Sequence, residues 1–140
     1  MSVINILLVD DEVDFRNTLK KRLQKRQLNV DDVGSGEDAL DILKHKSYDA
    51  VVLDVKMKGM DGIEVLREIK IKYPLIEVIM LTGHAEIEIG MQGMELGAFD
   101  YLMKPMDIDD LLYKIQDAFK KKSIQEQKIR EMKEVIDNEK

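Results

Sequence analysis

Two kinds of segment alternate along this chain: short, nearly continuous apolar runs, and longer stretches in which apolar residues return every three or four positions. Ile4-Asn5-Ile6-Leu7-Leu8-Val9 is of the first kind and halts at Asp10-Asp11; such a run suits a strand buried on both faces of a parallel sheet. Across residues 13–26, Phe15, Leu19 and Leu23 recur at helical spacing with Lys and Arg between them, which predicts an amphipathic helix. Residues 28–33 read as a second strand, Gly34-Ser35-Gly36 breaks it, and Ser35 is placed to cap a helix carrying Ala39, Leu40, Ile42 and Leu43. Residues 50–53 form a third strand that ends in Asp54. Beyond a loop with Gly59 and Gly62, Asp61 is placed to cap a helix with Ile63, Leu66 and Ile69 on one face, stopped by Pro74.

The pattern then repeats. Residues 76–81 predict a fourth strand ending at Thr82-Gly83, residues 85–96 a fourth helix that Gly97 can end in the left-handed conformation, and residues 99–103 a fifth strand ending at Lys104-Pro105. Asp107 is placed to cap a last helix with the stripe Ile108, Leu111, Leu112, Ile115 and Phe119. In the fourth helix, Gly90 and Gly93 should each cost about 1 kcal/mol relative to alanine, making it the least stable of the set. Ile87, Met91, Met94 and Ala98 are spaced to hold it to the sheet, leaving Ile89 and Leu96 nearer the surface.

Regular strand–helix alternation predicts an α/β doubly wound fold with a parallel sheet covered by helices on both faces. No Gly-rich dinucleotide fingerprint or Walker-type phosphate loop follows the first strand. Instead strands one, three, four and five end in Asp10-Asp11, Asp54, Thr82 and Lys104, and the carboxyl edge of such a sheet is where ligands bind. Taken singly, each residue has an ordinary explanation: a capped loop for the aspartates, a strand-end hydroxyl for Thr82, a solvated turn for Lys104-Pro105. Together they make a phosphoryl-transfer set. Asp11 and Asp54 are hard oxygen ligands suited to Mg²⁺, with Asp10 acting directly or through water. Asp54 can then attack phosphorus, while Lys104 offers a positive charge and Thr82 a hydrogen bond to the phosphoryl oxygens.

Leu7-Leu8-Val9-Asp10-Asp11-Glu12, Val52-Leu53-Asp54, Met57, Asp61-Gly62, Leu81-Thr82-Gly83 and the stretch Gly97-Ala98-Phe99-Asp100-Tyr101-Leu102-Met103-Lys104-Pro105 resemble the receiver domains of two-component response regulators. The resemblance covers about residues 3–121. It implies a five-stranded (βα)5 sheet in the flavodoxin-like order 2-1-3-4-5, phosphorylation of Asp54 by a sensor histidine kinase or histidine phosphotransfer protein, and Mg²⁺ held by Asp10, Asp11, Asp54 and the backbone carbonyl of Lys56. It also implies that Thr82 and Lys104 bind the phosphoryl group and that Tyr101 changes rotamer as Thr82 moves, altering the face of the fourth helix, fifth strand and fifth helix that controls output or dimerisation. On this reading the chain is a phosphoacceptor and regulatory domain rather than an enzyme with an external substrate. The family usually has proline after the methionine matching Met57; Lys58 stands there, which predicts a looser loop. Lys56 and His84 lie two residues beyond Asp54 and Thr82, where side chains can overhang the phosphoryl group, or can simply face solvent; His45 reads as surface.

Composition narrows the picture further. With 140 residues, 44% of them hydrophobic, one folding unit is expected. The absence of cysteine excludes disulfides, Cys-based zinc sites and thiol nucleophiles, and favours the cytoplasm. No run approaches the roughly 18 apolar residues of a membrane span, and the N-terminus is unlike a signal peptide. A formal charge of −6 argues against direct nucleic-acid binding by this segment. The expected division is a receiver domain over residues 1–121 and a helical extension or linker over residues 122–140. In that extension, Ile108, Ile115, Lys122, Ile129 and Ile136 share one heptad position, and Leu111, Ala118, Gln125, Met132 and Glu139 another, an interrupted seam that suits pairing with a second copy. Glu126 and Arg130 stand in the favourable order for a pair on that helix. The stretch over residues 99–105 followed by a helical linker resembles the enhancer-binding transcription activators. The rival readings are a Mg²⁺-dependent phosphohydrolase and an interaction module that is never phosphorylated. Turnover of an external phosphoester would mark the first; the complete Asp, Thr and Lys set argues against the second.

Overall fold

The computed structural model describes residues 3–83 and 86–139. The elements follow in the order β1 (Asn5–Val9), α1 (Val13–Gln24), β2 (Asn29–Val33), α2 (Gly36–Leu43), β3 (Ala50–Asp54), α3 (Gly62–Lys72), β4 (Glu77–Thr82), α4 (Ile87–Glu95), β5 (Asp100–Met103) and α5 (Ile108–Asn138). All strand pairings are parallel and the sheet order is β2-β1-β3-β4-β5. Because successive side chains in a strand point to opposite faces, each central strand feeds two cores. Leu7, Val9, Val51, Leu53, Val78 and Met80 pack beneath α2 and α3, whereas Ile6, Leu8, Val52, Ile79 and Leu81 pack beneath α1 and α5. That two-sided burial is why these strands read as unbroken apolar runs.

The expected caps form. The Ser35 hydroxyl accepts from the Asp38 N–H (3.1 Å), the Asp61 carboxylate from the Glu64 N–H (2.9 Å) and the Asp107 carboxylate from the Asp109 N–H (2.9 Å). Gly97 ends α4 with φ +103°.

Helix α4 departs from expectation in the face it buries. Gly90 and Gly93 are its buried residues, whereas Ile87, Ile89 and Met94 are partly exposed and Met91 is 58% exposed. Apolar spacing predicted the reverse for Ile87, Met91 and Met94. The cause is close approach: a Cβ at Gly90 would lie 3.2 Å from Thr82 Cγ2 and 3.4 Å from the Tyr101 ring, and one at Gly93 would collide with the Met80 thioether. The helix rests on the sheet through its backbone, and its long side chains are left outside.

Helix α5 continues unbroken across the expected boundary at residue 121. Its stripe of Ile108, Leu111, Ile115 and Ala118 is buried, and beyond Lys122 the same stripe emerges as exposed Ile129, Met132 and Ile136. Two ion pairs bind the transition to the amino edge of the sheet: Lys121 to Glu77 (3.3 Å) and Lys122 to Asp49 (3.3 Å). Glu126 turns back to Lys122 (3.3 Å) rather than forward to Arg130. No described helix is long and apolar enough to cross a membrane.

Candidate functional site

The carboxyl edge of the sheet gathers residues far apart in sequence. Asp10 follows β1, Asp54 closes β3, Thr82 closes β4 and Lys104 follows β5. Parallel register sets their level: Asp54 pairs with Leu81 and Thr82 with Met103, so Thr82 sits one step beyond Asp54 on the neighbouring strand. Oxygens from Asp10, Asp11 and Asp54 lie within 4.8 Å of one another. Asp10 is fully buried and Asp54 is 5% exposed. The Lys104 ammonium stands 3.3 Å from Asp10 Oδ2 and 3.5 Å from Asp54 Oδ1, and its backbone N–H donates to the Thr82 carbonyl (2.7 Å). The Thr82 hydroxyl donates to the Leu102 carbonyl at 3.4 Å.

Burial raises the Asp54 carboxyl to about 6; the Lys104 charge opposes that rise and Asp10 adds to it. The loops around the cluster are pinned by groups that apolar periodicity did not single out. The Glu12 N–H donates to Asp10 Oδ1 (2.8 Å), and Arg16 donates both to the Asp10 carbonyl (2.8 Å) and to the Asp32 carboxylate (2.8 Å). Burial alone would raise the Asp32 carboxyl, but Lys20 and Arg16 outweigh it and hold it below the usual carboxylate range. The Lys104 ammonium also lies over the Phe15 ring, 4.3 Å from its centroid.

The loop after β3 carries the departure at Lys58. Lys58 keeps the backbone N–H that proline lacks and donates it to Asp11 Oδ2 (3.1 Å), while the Met60 N–H donates to Glu37 (3.1 Å). A lysine where a proline was expected is itself the sequence signal of a spare donor. The Lys56 N–H donates to Asp54 Oδ1 (3.3 Å), and its 81% exposed side chain pairs with Glu86 (3.6 Å). His84 lies outside the described residues, and His45 is exposed as expected. Tyr101 is half-buried beside the position of Gly90.

Three clustered carboxylates supply the hard oxygen donors that Mg²⁺ requires, so the residues present fit that ion.

Residues 6–116 match the family model for the response regulator receiver domain. The chain is 37% identical over 139 residues to a putative NtrX-like response regulator of Rickettsia bellii (strain RML369-C), covering 98% of this chain and 29% of that protein. It is 38% identical over 103 residues to the DNA-binding transcriptional regulator NtrC of Klebsiella pneumoniae, covering 74% of this chain and 22% of that one. The chain thus spans less than a third of the length of either relative. Among solved structures, a response regulator receiver domain protein from Clostridium thermocellum superposes with a TM-score of 0.85 at 34% identity, over 88% of this chain and 99% of that one. With its sheet order, its edge of acidic residues and these matches, the chain belongs to the response regulator receiver domain family of two-component signal transduction.

Proposed function

We propose that this receiver takes a phosphoryl group from a phosphohistidine of a sensor histidine kinase or histidine phosphotransfer protein onto Asp54, in the cytoplasm. The observation that carries this is the Asp54 carboxylate itself, buried at the strand edge between Lys104 and the acidic partners Asp10 and Asp11. Asp10, Asp11, Asp54 and the Lys56 carbonyl would hold Mg²⁺. What that ion supplies when bound is charge neutralisation, both among the carboxylates and at the phosphoryl oxygens.

One Asp54 oxygen attacks phosphorus, the phosphorus–nitrogen bond to the donor imidazole breaks, and the leaving nitrogen takes up the electron pair. Lys104 aims its ammonium at one phosphoryl oxygen, and Thr82 redirects its hydroxyl from the Leu102 carbonyl to another. Hydrolysis later returns the carboxylate as water attacks phosphorus and inorganic phosphate leaves. Movement of Thr82 presses on the contact it shares with Gly90 and Tyr101, which biases the face of α4, β5 and α5 toward output or pairing. The residues 1–121 carry this switch, and in the extension over residues 122–140 the helix α5 runs on to Asn138 as a linker whose exposed Ile129, Met132 and Ile136 pair with a second copy.

Phosphotransfer from a phosphorylated histidine phosphotransfer protein tests the reading. Label should pass to the wild type and not to Asp54→Asn, and no small phosphoester should be turned over. Equal labelling of both, or turnover of a phosphoester, overturns it.

A further inference from the structure

We infer that Phe15 is a positioning residue for phosphoryl transfer, an aromatic floor that holds the Lys104 ammonium in line with Asp54. The inference rests on the proposed phosphorylation of Asp54 and adds a residue to that site. Lysine is a poor fixed charge by itself, since its four-carbon stem loses much rotamer freedom when held in one place. The Lys104 side chain is 22% exposed, so water is within reach of it. Two carboxylates at 3.3 and 3.5 Å draw the ammonium inward. The Phe15 ring, 4.3 Å away at its centroid, presents its negative face to the same cation.

The ring is itself firmly placed. Phe15 lies in the first turn of α1, and the next residue, Arg16, ties that turn to the Asp10 carbonyl and to Asp32 on β2. Phe15 also packs against the core beneath α1 and α5. A leucine could fill that apolar space, but it has no π face. When a phosphoryl group replaces the free Asp54 oxygen as the target of Lys104, the ring keeps the ammonium from relaxing into solvent. Phe15 touches no reacting atom and acts only through Lys104.

Fluorination separates the two roles of Phe15, because it drains the negative face of the ring while nearly preserving its shape. The full chain carrying phenylalanine, mono-, di- or trifluorophenylalanine at position 15 is labelled by acetyl phosphate with Mg²⁺, and the initial rate is read by intact mass. The rate should fall stepwise, roughly two- to fivefold over the series, the range a partly exposed cation–π contact supports. Melting temperature should fall by no more than the few degrees that loss of this one contact implies. In a Lys104→Met background the series should be flat wherever a rate is measurable. A flat series in the Lys104 protein, or the same decline in the Lys104→Met protein, overturns the inference. If the phenylalanine protein itself takes up no label at Asp54, the phosphorylation reading fails instead, so the two failures are distinguishable.

Discussion

Gly62→Ala should damage both the stability and the chemistry of this domain. Gly62 opens α3, and its N–H donates to the Val55 carbonyl (3.1 Å). A Cβ there would lie 2.7 Å from Val55 Cα and 2.8 Å from the carbonyl oxygens of both Asp54 and Val55. All three atoms are backbone, so no side chain can rotate away. Alanine favours the helix by up to about 1 kcal/mol, whereas overpacking against fixed atoms costs about 1–3 kcal/mol and sometimes more. A net loss of about 2 kcal/mol corresponds to a melting temperature lower by roughly 4–8 °C for a chain of this size. The atoms forced to shift include the Asp54 carbonyl, so acetyl phosphate labelling should slow as well. Thermal unfolding by circular dichroism, with labelling by intact mass on the same samples, checks both. Unchanged melting with an unchanged rate would mean that the clash had been absorbed without moving the strand end, and that Gly62 is not required there.

Other predictions follow from burial and charge. Folding raises the Asp54 carboxyl from the ordinary 3.8 to about 6, so the folded chain binds this proton more tightly than the unfolded one, and the group's contribution to stability falls as pH rises from about 4 to 6. Without Mg²⁺, Asp54→Asn should therefore be more stable than the wild type at pH 7, by about 3 kcal/mol, and gain little at pH 4; equal gains at both values would contradict the assignment. Gly93→Ala should destabilise the fold despite the better helix former, since the added carbon meets the fully buried Met80; a rise in urea midpoint would show that α4 lifts off the sheet easily. Ending the chain at Phe119 removes Lys121 from buried Glu77 and Lys122 from half-buried Asp49, so that truncation should lower stability, whereas ending it after Gln127 should spare stability and abolish only self-association. Sedimentation and melting of the two truncated chains test this, and self-association that survives both would reject pairing through the linker helix.

The central strands β1, β3 and β4 were legible because a parallel sheet buried on both faces writes itself as apolar runs, and the ends of β1, β3, β4 and β5 stood out because each stops at a residue with chemistry. Ser35, Asp61 and Asp107 were readable as caps because capping is local. Helix α4 was misread at Ile87, Met91 and Met94 because helical spacing locates an apolar stripe but carries no information on how closely the backbone approaches its neighbour. Gly90 and Gly93 hold that information. The buttress of Phe15, Arg16 and Asp32 spans α1 and β2, and nothing in either segment announces the other. Lys122 looked like an interruption of the heptad seam, yet its ammonium reaches Asp49, 73 positions away in the chain.

Whether Asp54 accepts a phosphoryl group with the help of a divalent cation held by its acidic neighbours is decided by acetyl phosphate labelling with and without Mg²⁺, followed by mapping of the modified residue. One phosphoryl group should be added per chain, located at Asp54, abolished by EDTA and absent from Asp54→Asn. Full labelling in EDTA, or the same labelling of Asp54→Asn, would contradict that expectation.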